Sequence, residues 1–312
     1  MSVLSAPVVA AIDDLELAAR LIVEGMRSGQ HRSPLHGFSA EFSQYRPYRP
    51  GDDLKYLDWK VLARTDRLYT RQFRETTNMS VMLVIDASAS MGFPATGVSK
   101  LRYAVVTAAA LAYLIIGQGD RVGLLTMHGE ALKFLPARGG RPHLRMILAE
   151  LTRLEPAGTW QPQRVIARGA ELVGRRGVLV TLSDFYDAED ETRRELRRAA
   201  TRGHDVAMLQ VVSRQEIAFP YDGDVEFEDL ESGTKTVIAA DALAPGYRAA
   251  VADFLERCRR EARRDGLDYA LLPTDVAPEQ ALRNFLIRRG GGQLGANAAS
   301  GDSTARPDRQ AR

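Results

Sequence analysis

The chain has 312 residues, 45% of them hydrophobic, and a formal net charge of +2. That length allows one large or two small domains with a sizeable core, and the charge leaves no global drive toward nucleic acid or an anionic membrane. Its one cysteine, Cys258, excludes an intramolecular disulfide and any multi-cysteine metal site.

No secretory signal is expected, because the apolar start lacks a basic segment and runs into Asp13 and Asp14. Leu15, Leu17, Ala18, Leu21, Ile22 and Met26 recur at helical spacing and predict an amphipathic helix over 13–28. Residues 36–78 are dense in aromatics, Arg and Asp, with a turn signal at Arg49-Pro50-Gly51-Asp52, and predict short strands and loops. Within 41–75, 8 basic and 6 acidic residues interleave. That balance favours internal ion pairing and packing on the rest of the chain over a nucleic-acid surface.

The pattern becomes regular at Ser80. The apolar run from Ser80 to Ile85, ending in Asp86, predicts a strand buried on both faces of a parallel sheet. A helix over 101–116 follows; its apolar run, Tyr103 to Ile116, suits a buried core helix better than a membrane span. Next come a strand over 121–127, a β partner at 130–135, helices over 142–152 and 162–173, and a second buried strand over 177–184. The helix over 187–202 carries its acidic residues first and Arg193, Arg194, Arg197 and Arg198 later, an order that complements the helix dipole. A strand over 205–212, a hairpin over 225–238, a helix over 246–264, a strand over 267–272 and a helix over 278–288 complete the series. The tail from Gly290 has the composition of a disordered segment.

Alternating strands and helices predict an α/β fold with a doubly wound, mostly parallel sheet. The expected division is an N-terminal helix and small β-rich module over 1–78, an α/β domain over 79–289 with a β-hairpin insertion near 215–240, and a tail over 290–312.

Chemistry is expected at two strand ends. One ends in Asp86-Ala87-Ser88-Ala89-Ser90, the other in Ser183-Asp184, and the loop Gly158-Thr159 lies between them in the chain. In an open α/β sheet, ligands bind outside the carboxyl ends of the strands. Two carboxylates and three hydroxyls offer only oxygen, which suits a hard cation such as Mg²⁺ (or Mn²⁺) that keeps waters and an open position. An incoming carboxylate could complete such a shell.

Asp86, Ser88, Ser90, Thr159 and Asp184 together resemble the metal-ion-dependent adhesion site of von Willebrand factor A domains. The resemblance implies that the serines and threonine ligate the ion and that the aspartates hold it directly or through water. It also implies strand order 3-2-1-4-5-6, with the two acidic strand ends adjacent. A wider resemblance, carried by Gly37 to Phe42, Tyr45-Arg46-Pro47-Tyr48, Asp58-Trp59, Phe219 to Gly223 and Phe227 to Gly233, is to the bacterial "domain of unknown function fifty-eight" family. Members of that family are associated with MoxR-type AAA+ ATPases, so the implied partner is such an ATPase, presenting an Asp or Glu carboxylate. Many members carry N-terminal membrane spans; no membrane insertion is expected here, and a cytoplasmic location is.

The expected function is therefore a non-enzymatic, metal-dependent protein-interaction role. A metal-dependent phosphate-ester hydrolase and a metal-free structural component of an ATPase complex are the alternatives. The hydrolase is disfavoured because Ser88 stands where a phosphatase with a strand-end Asp nucleophile would place its general acid.

Overall fold

The computed structural model describes residues 5–28, 42–47, 68–73, 79–94, 97–128, 130–174, 176–186, 189–230 and 233–299. Two helices open it, α1 (Ala6–Ala10) and α2 (Leu15–Ser28). Strands β1 (Phe42–Pro47) and β2 (Tyr69–Phe73) pair antiparallel as a ribbon of their own. The remaining expectations for 36–78 fall outside the described residues.

The main sheet has six strands: β3 (Ser80–Ile85), β4 (Arg121–His128), β5 (Ala131–Arg138), β6 (Val178–Ser183), β7 (Asp205–Val212) and β10 (Asp268–Pro273). Their order is β10-β7-β6-β3-β4-β5, parallel throughout except for the edge strand β5. Numbered within the sheet, that is the 3-2-1-4-5-6 order that the resemblance to von Willebrand factor A domains implied. It places β3 beside β6, with Ile85 level with Leu182.

Each central strand feeds two cores because successive side chains point to opposite faces. Val81, Leu83 and Ile85 of β3 enter one cluster; Met82 and Val84 enter the other. The first face is covered by α1, α2, α3 (Lys100–Gly117), α4 (Arg141–Thr152) and α9 (Pro278–Ala299). The second is covered by α5 (Pro162–Leu172), α6 (Glu189–Thr201) and α8 (Ala240–Arg264).

α3 is apolar on nearly every side because it lies between the sheet and α2. Among the described residues it is the helix long and apolar enough to cross a membrane, yet 78% of it is buried inside the fold. The partner face comes from α2, whose Ile22, Val23 and Met26 are at most 1% exposed. The N-terminal helix is thus part of the main core rather than an appendage.

Three elements differ from expectation. A short helix, α7 (Arg214–Ala218), follows β7, set by the capping box of Ser213 and Glu216. α8 starts at Ala240, ahead of Pro245, although Pro245 removes one helical hydrogen bond. Tertiary bonds hold that first turn: Ala240 N–H donates to the Gly223 carbonyl, and Gly223 N–H donates to Asp241 Oδ2. Between α7 and α8, β8 (Asp224–Glu228) and β9 (Lys235–Ala239) form the expected hairpin. α9 continues to Ala299, into the stretch read as a tail; residues 300–312 lie outside the described residues.

Because α2 seals α3, Ile22→Ala should lower stability by about 2–5 kcal/mol, whereas Leu17→Ala, at a 36% exposed position, should change it by about 0.5 kcal/mol or less. Chemical denaturation of both variants checks this; equal effects would show that α2 does not seal the core.

Candidate functional site

The adjacency of β3 and β6 brings their carboxyl ends together. Asp86 N–H still donates to the Leu182 carbonyl at 2.9 Å, so Asp86 sits at the last rung of the ladder. The loop after it is irregular. Ser88 N–H folds back onto Asp86 Oδ1 at 2.9 Å, and a short 3₁₀ turn, Ala89–Gly92, follows. That back-bond turns the two serine side chains the same way, with their Oγ atoms 3.1 Å apart. Asp184 joins them: Ser90 Oγ donates to its Oδ2 at 3.2 Å.

The loop ahead of α5 is pinned to the same place. Ala157 N–H donates to the Ala87 carbonyl at 2.8 Å, and Ala89 N–H donates to the Gly158 carbonyl at 2.9 Å. Gly158 has φ +70°, a left-handed conformation that costs glycine little. Thr159 follows it, exposed, and its hydroxyl joins none of the hydrogen bonds of the cluster. Of the five residues singled out by sequence, four converge and the fifth stands on a loop bonded to them.

Three residues that sequence reasoning passed over complete the cluster. Ser183 Oγ donates to Asp86 Oδ2 at 2.5 Å and accepts from Phe185 N–H at 3.0 Å. Lys100 Nζ donates to Asp184 Oδ2 and to Glu216 Oε1, at 2.6 Å each, with its side chain 1% exposed. Signals for both ends of this bridge stand in the sequence. A lysine opening an apolar helix opposes the helix dipole and needs a local anion, and Ser213-Arg214-Gln215-Glu216 is a capping-box pattern.

A second layer fixes Asp184. Gln210 Nε2 donates to its carbonyl at 2.8 Å, and Tyr269 O–H donates to Gln210 Oε1 at 2.7 Å. Phe185, next in the chain, is held at φ +60°, which is strained for a bulky residue.

The electrostatics are unbalanced. Asp86, Asp184 and Glu216 bring three negative charges against the one positive charge of Lys100, a formal −2 when all are ionised. Burial, then the neighbouring Asp184, push the Asp86 carboxyl up to about 7. Burial alone would lower the Lys100 ammonium, but Asp184 and Glu216 outweigh it and hold it above the usual range. Asp86, Ser88, Ser90 and Asp184 are the residues here that could hold a hard cation. Among the described residues no group of three or more His, Cys, Asp or Glu side chains converges as a metal site, here or elsewhere, so any ion at this place would depend on the two aspartates and the hydroxyls.

Sheet order and the helices on both faces define a doubly wound, mostly parallel α/β fold of the von Willebrand factor A-like kind. The chain belongs to DUF58, a family of proteins of unknown function, which it matches over residues 44–257. The uncharacterized protein Rv1480 of Mycobacterium tuberculosis is 33% identical over 270 residues, covering 85% of this chain and 84% of that protein. Among solved structures, the conserved hypothetical protein BatB of Bacteroides thetaiotaomicron is 18% identical over 69% of this chain and 99% of that one, with a TM-score of 0.42. An aerotolerance-related membrane protein of Bacteroides fragilis is 18% identical over 67% of this chain and 99% of that one, with a TM-score of 0.44.

The raised Asp86 carboxyl makes a pH prediction. Its ordinary value is 3.8, so between that value and about 7 the folded chain holds a proton that the unfolded chain has lost. Its stabilisation is full below the lower value and is lost as pH rises through the upper one, at up to about 1.4 kcal/mol per pH unit. Denaturation of metal-free protein should show wild type losing more stability from pH 5 to pH 8 than Asp86→Asn does; parallel curves would show that Asp86 is not the titrating group.

Proposed function

We propose that this chain is a non-enzymatic, cytoplasmic adaptor that holds one Mg²⁺ or Mn²⁺ at Asp86, Ser88, Ser90, Thr159 and Asp184 and uses it to dock an Asp or Glu carboxylate of a protein partner. The observation that carries the reading is three buried or nearly buried acids set against one ammonium, beside two hydroxyls 3.1 Å apart. Burying uncompensated charge is costly, and a divalent cation offsets that cost to formal neutrality. The donor set supports a hard cation because every available atom is oxygen. A carboxylate has about four acceptor sites, so Asp86 and Asp184 retain capacity beyond the hydrogen bonds they accept. Thr159 would join from its exposed loop, whose neighbours Ala157 and Gly158 bond to Ala87 and Ala89.

A bound ion would supply an electropositive, incompletely filled shell, to which a hard oxygen anion is attracted. The chain's own residues do the rest. Ser183 and the Ser88 amide orient Asp86, Lys100 and Gln210 hold Asp184, and the two strands keep the loops in register. A binding role fits the way the hydroxyls are used: Ser88 and Ser90 bond to each other and Ser90 donates to Asp184, which gathers their oxygens beside the acids. The partner we favour is a MoxR-type AAA+ ATPase, on the strength of the family resemblance.

One observation favours a second reading. Lys100 already places a cation on Asp184 Oδ2, as a metal-free structural component would require.

Titration calorimetry separates the two. Wild type should bind Mg²⁺ or Mn²⁺ at millimolar ion or tighter, Asp86→Ala should not, and Asp184→Ala should bind much more weakly. A purified MoxR-type ATPase should then be retained in Mg²⁺ and released by EDTA. No heat from either ion at millimolar concentration leaves Lys100 as the resident cation and sinks the adaptor reading.

A further inference from the structure

Lys100 stands beside the candidate cation site without offering it a ligand, because an ammonium has donors only. Its Nζ donates to Asp184 Oδ2 and to Glu216 Oε1, at 2.6 Å each. Asp184 is one of the residues assigned to the ion; Glu216 is not. Glu216 is held on both oxygens, Oε1 by Lys100 and Oε2 by Ser213 N–H at 2.7 Å. A chain of alternating charge therefore runs from the strand-end acids to α7.

The ammonium is fixed where it is. The Lys100 side chain is 1% exposed. Its Nζ lies 5.1 Å from the ring centroid of Tyr186 and 6.0 Å from that of Phe93, and aromatic faces favour a cation. Moving it away from both carboxylates would leave buried charges unpaired. A cation held by Asp86 and Asp184 would thus sit beside Lys100 rather than in its place.

The signs then decide what each residue does. Charges act on one another more strongly inside a protein than in water. Lys100 opposes a second cation nearby, and Glu216, which offsets Lys100, favours one, although neither would touch it. With all acids ionised, Asp86, Asp184 and Glu216 against Lys100 give a formal −2, which a divalent ion brings to 0. Without the lysine the filled site would stay negative and repel a carboxylate.

We infer that Lys100 and Glu216 form a tuning pair for the cation site, Lys100 lowering its affinity for a divalent ion and Glu216 raising it. The inference rests on the cation reading and adds to it two residues that are not ligands.

Mn²⁺ alone is the probe, added to the metal-stripped full chain, with free ion counted by electron paramagnetic resonance. Relative to wild type, Glu216→Gln should bind Mn²⁺ at least roughly tenfold more weakly and Lys100→Met at least roughly tenfold more tightly. The double variant restores the wild-type net charge of the cluster and should bind within a few fold of wild type. Structural damage alone would weaken binding in all three, most of all in the double variant. Should Lys100→Met fail to melt cooperatively, the double variant compared with Glu216→Gln asks the same question, since these two differ only at Lys100. Wild-type affinity in Glu216→Gln, or a folded variant lacking Lys100 that binds no more tightly than its parent, would overturn the pair. If wild type binds no Mn²⁺ at millimolar ion but Lys100→Met does, the pair stands and the cation reading of the wild-type chain falls; if neither binds, both fall.

Discussion

One ammonium group, that of Lys100, holds two carboxylates in an interior almost closed to solvent. It lies 2.6 Å from Asp184 at the end of β6 and 2.6 Å from Glu216 in α7. A charge buried this way is tolerated only when paired and hydrogen-bonded, and breaking such a pair from one side typically costs about 3–5 kcal/mol. The rest of the site is arranged around that constraint. α3 must begin at Lys100, so Ser99 caps it through the Arg102 N–H. α7 must present Glu216, so a capping box orders a helix of five residues. The bridge therefore ties the strand-end loops to the segment that leads into the β8–β9 hairpin.

That tie makes Glu216 common to the acid cluster and to an open cavity lined by the rings of Phe93, Phe219, Tyr221, Phe227 and Tyr247. The aromatic cavity includes Glu216 and Phe93, and the Lys100 ammonium lies 6.0 Å from the Phe93 ring centroid and 5.1 Å from that of Tyr186. The two left-handed aromatic residues, Phe185 and Phe219, bracket this region. Strained backbone of that kind persists where surrounding contacts over-determine it, and here those contacts are Gln210 on one side and the ring cluster on the other.

Much of this was legible in the sequence. The run Ser80 to Ile85 reads as a doubly buried strand because both faces of β3 are covered, and helical spacing marked α2 well enough to place Ile22 and Met26 in the core. The strand ends marked Asp86 and Asp184, and the sheet order implied by the family resemblance set them side by side, as the structure shows. What escaped were elements whose cause is tertiary. α8 runs through Pro245 because Gly223 anchors its first turn, and no local propensity announces that. Lys100 offers one faint signal, a cation opening an apolar helix, and its partners come into view only when the fold sets that helix start between two acids. Glu216 was overlooked for the opposite reason: its capping box is local and readable, but a five-residue helix carries too little periodicity to draw attention.

The central claim is that the buried acids, set against a single ammonium, are organised to receive a divalent cation. Anomalous diffraction from crystals equilibrated with Mn²⁺ tests it most directly. The account predicts one manganese peak bounded by the side chains of Asp86, Ser88 and Ser90. An empty difference map at saturating Mn²⁺, with Lys100 still paired to Asp184 and Glu216, would contradict it and leave the lysine as the cation that this site was built to hold.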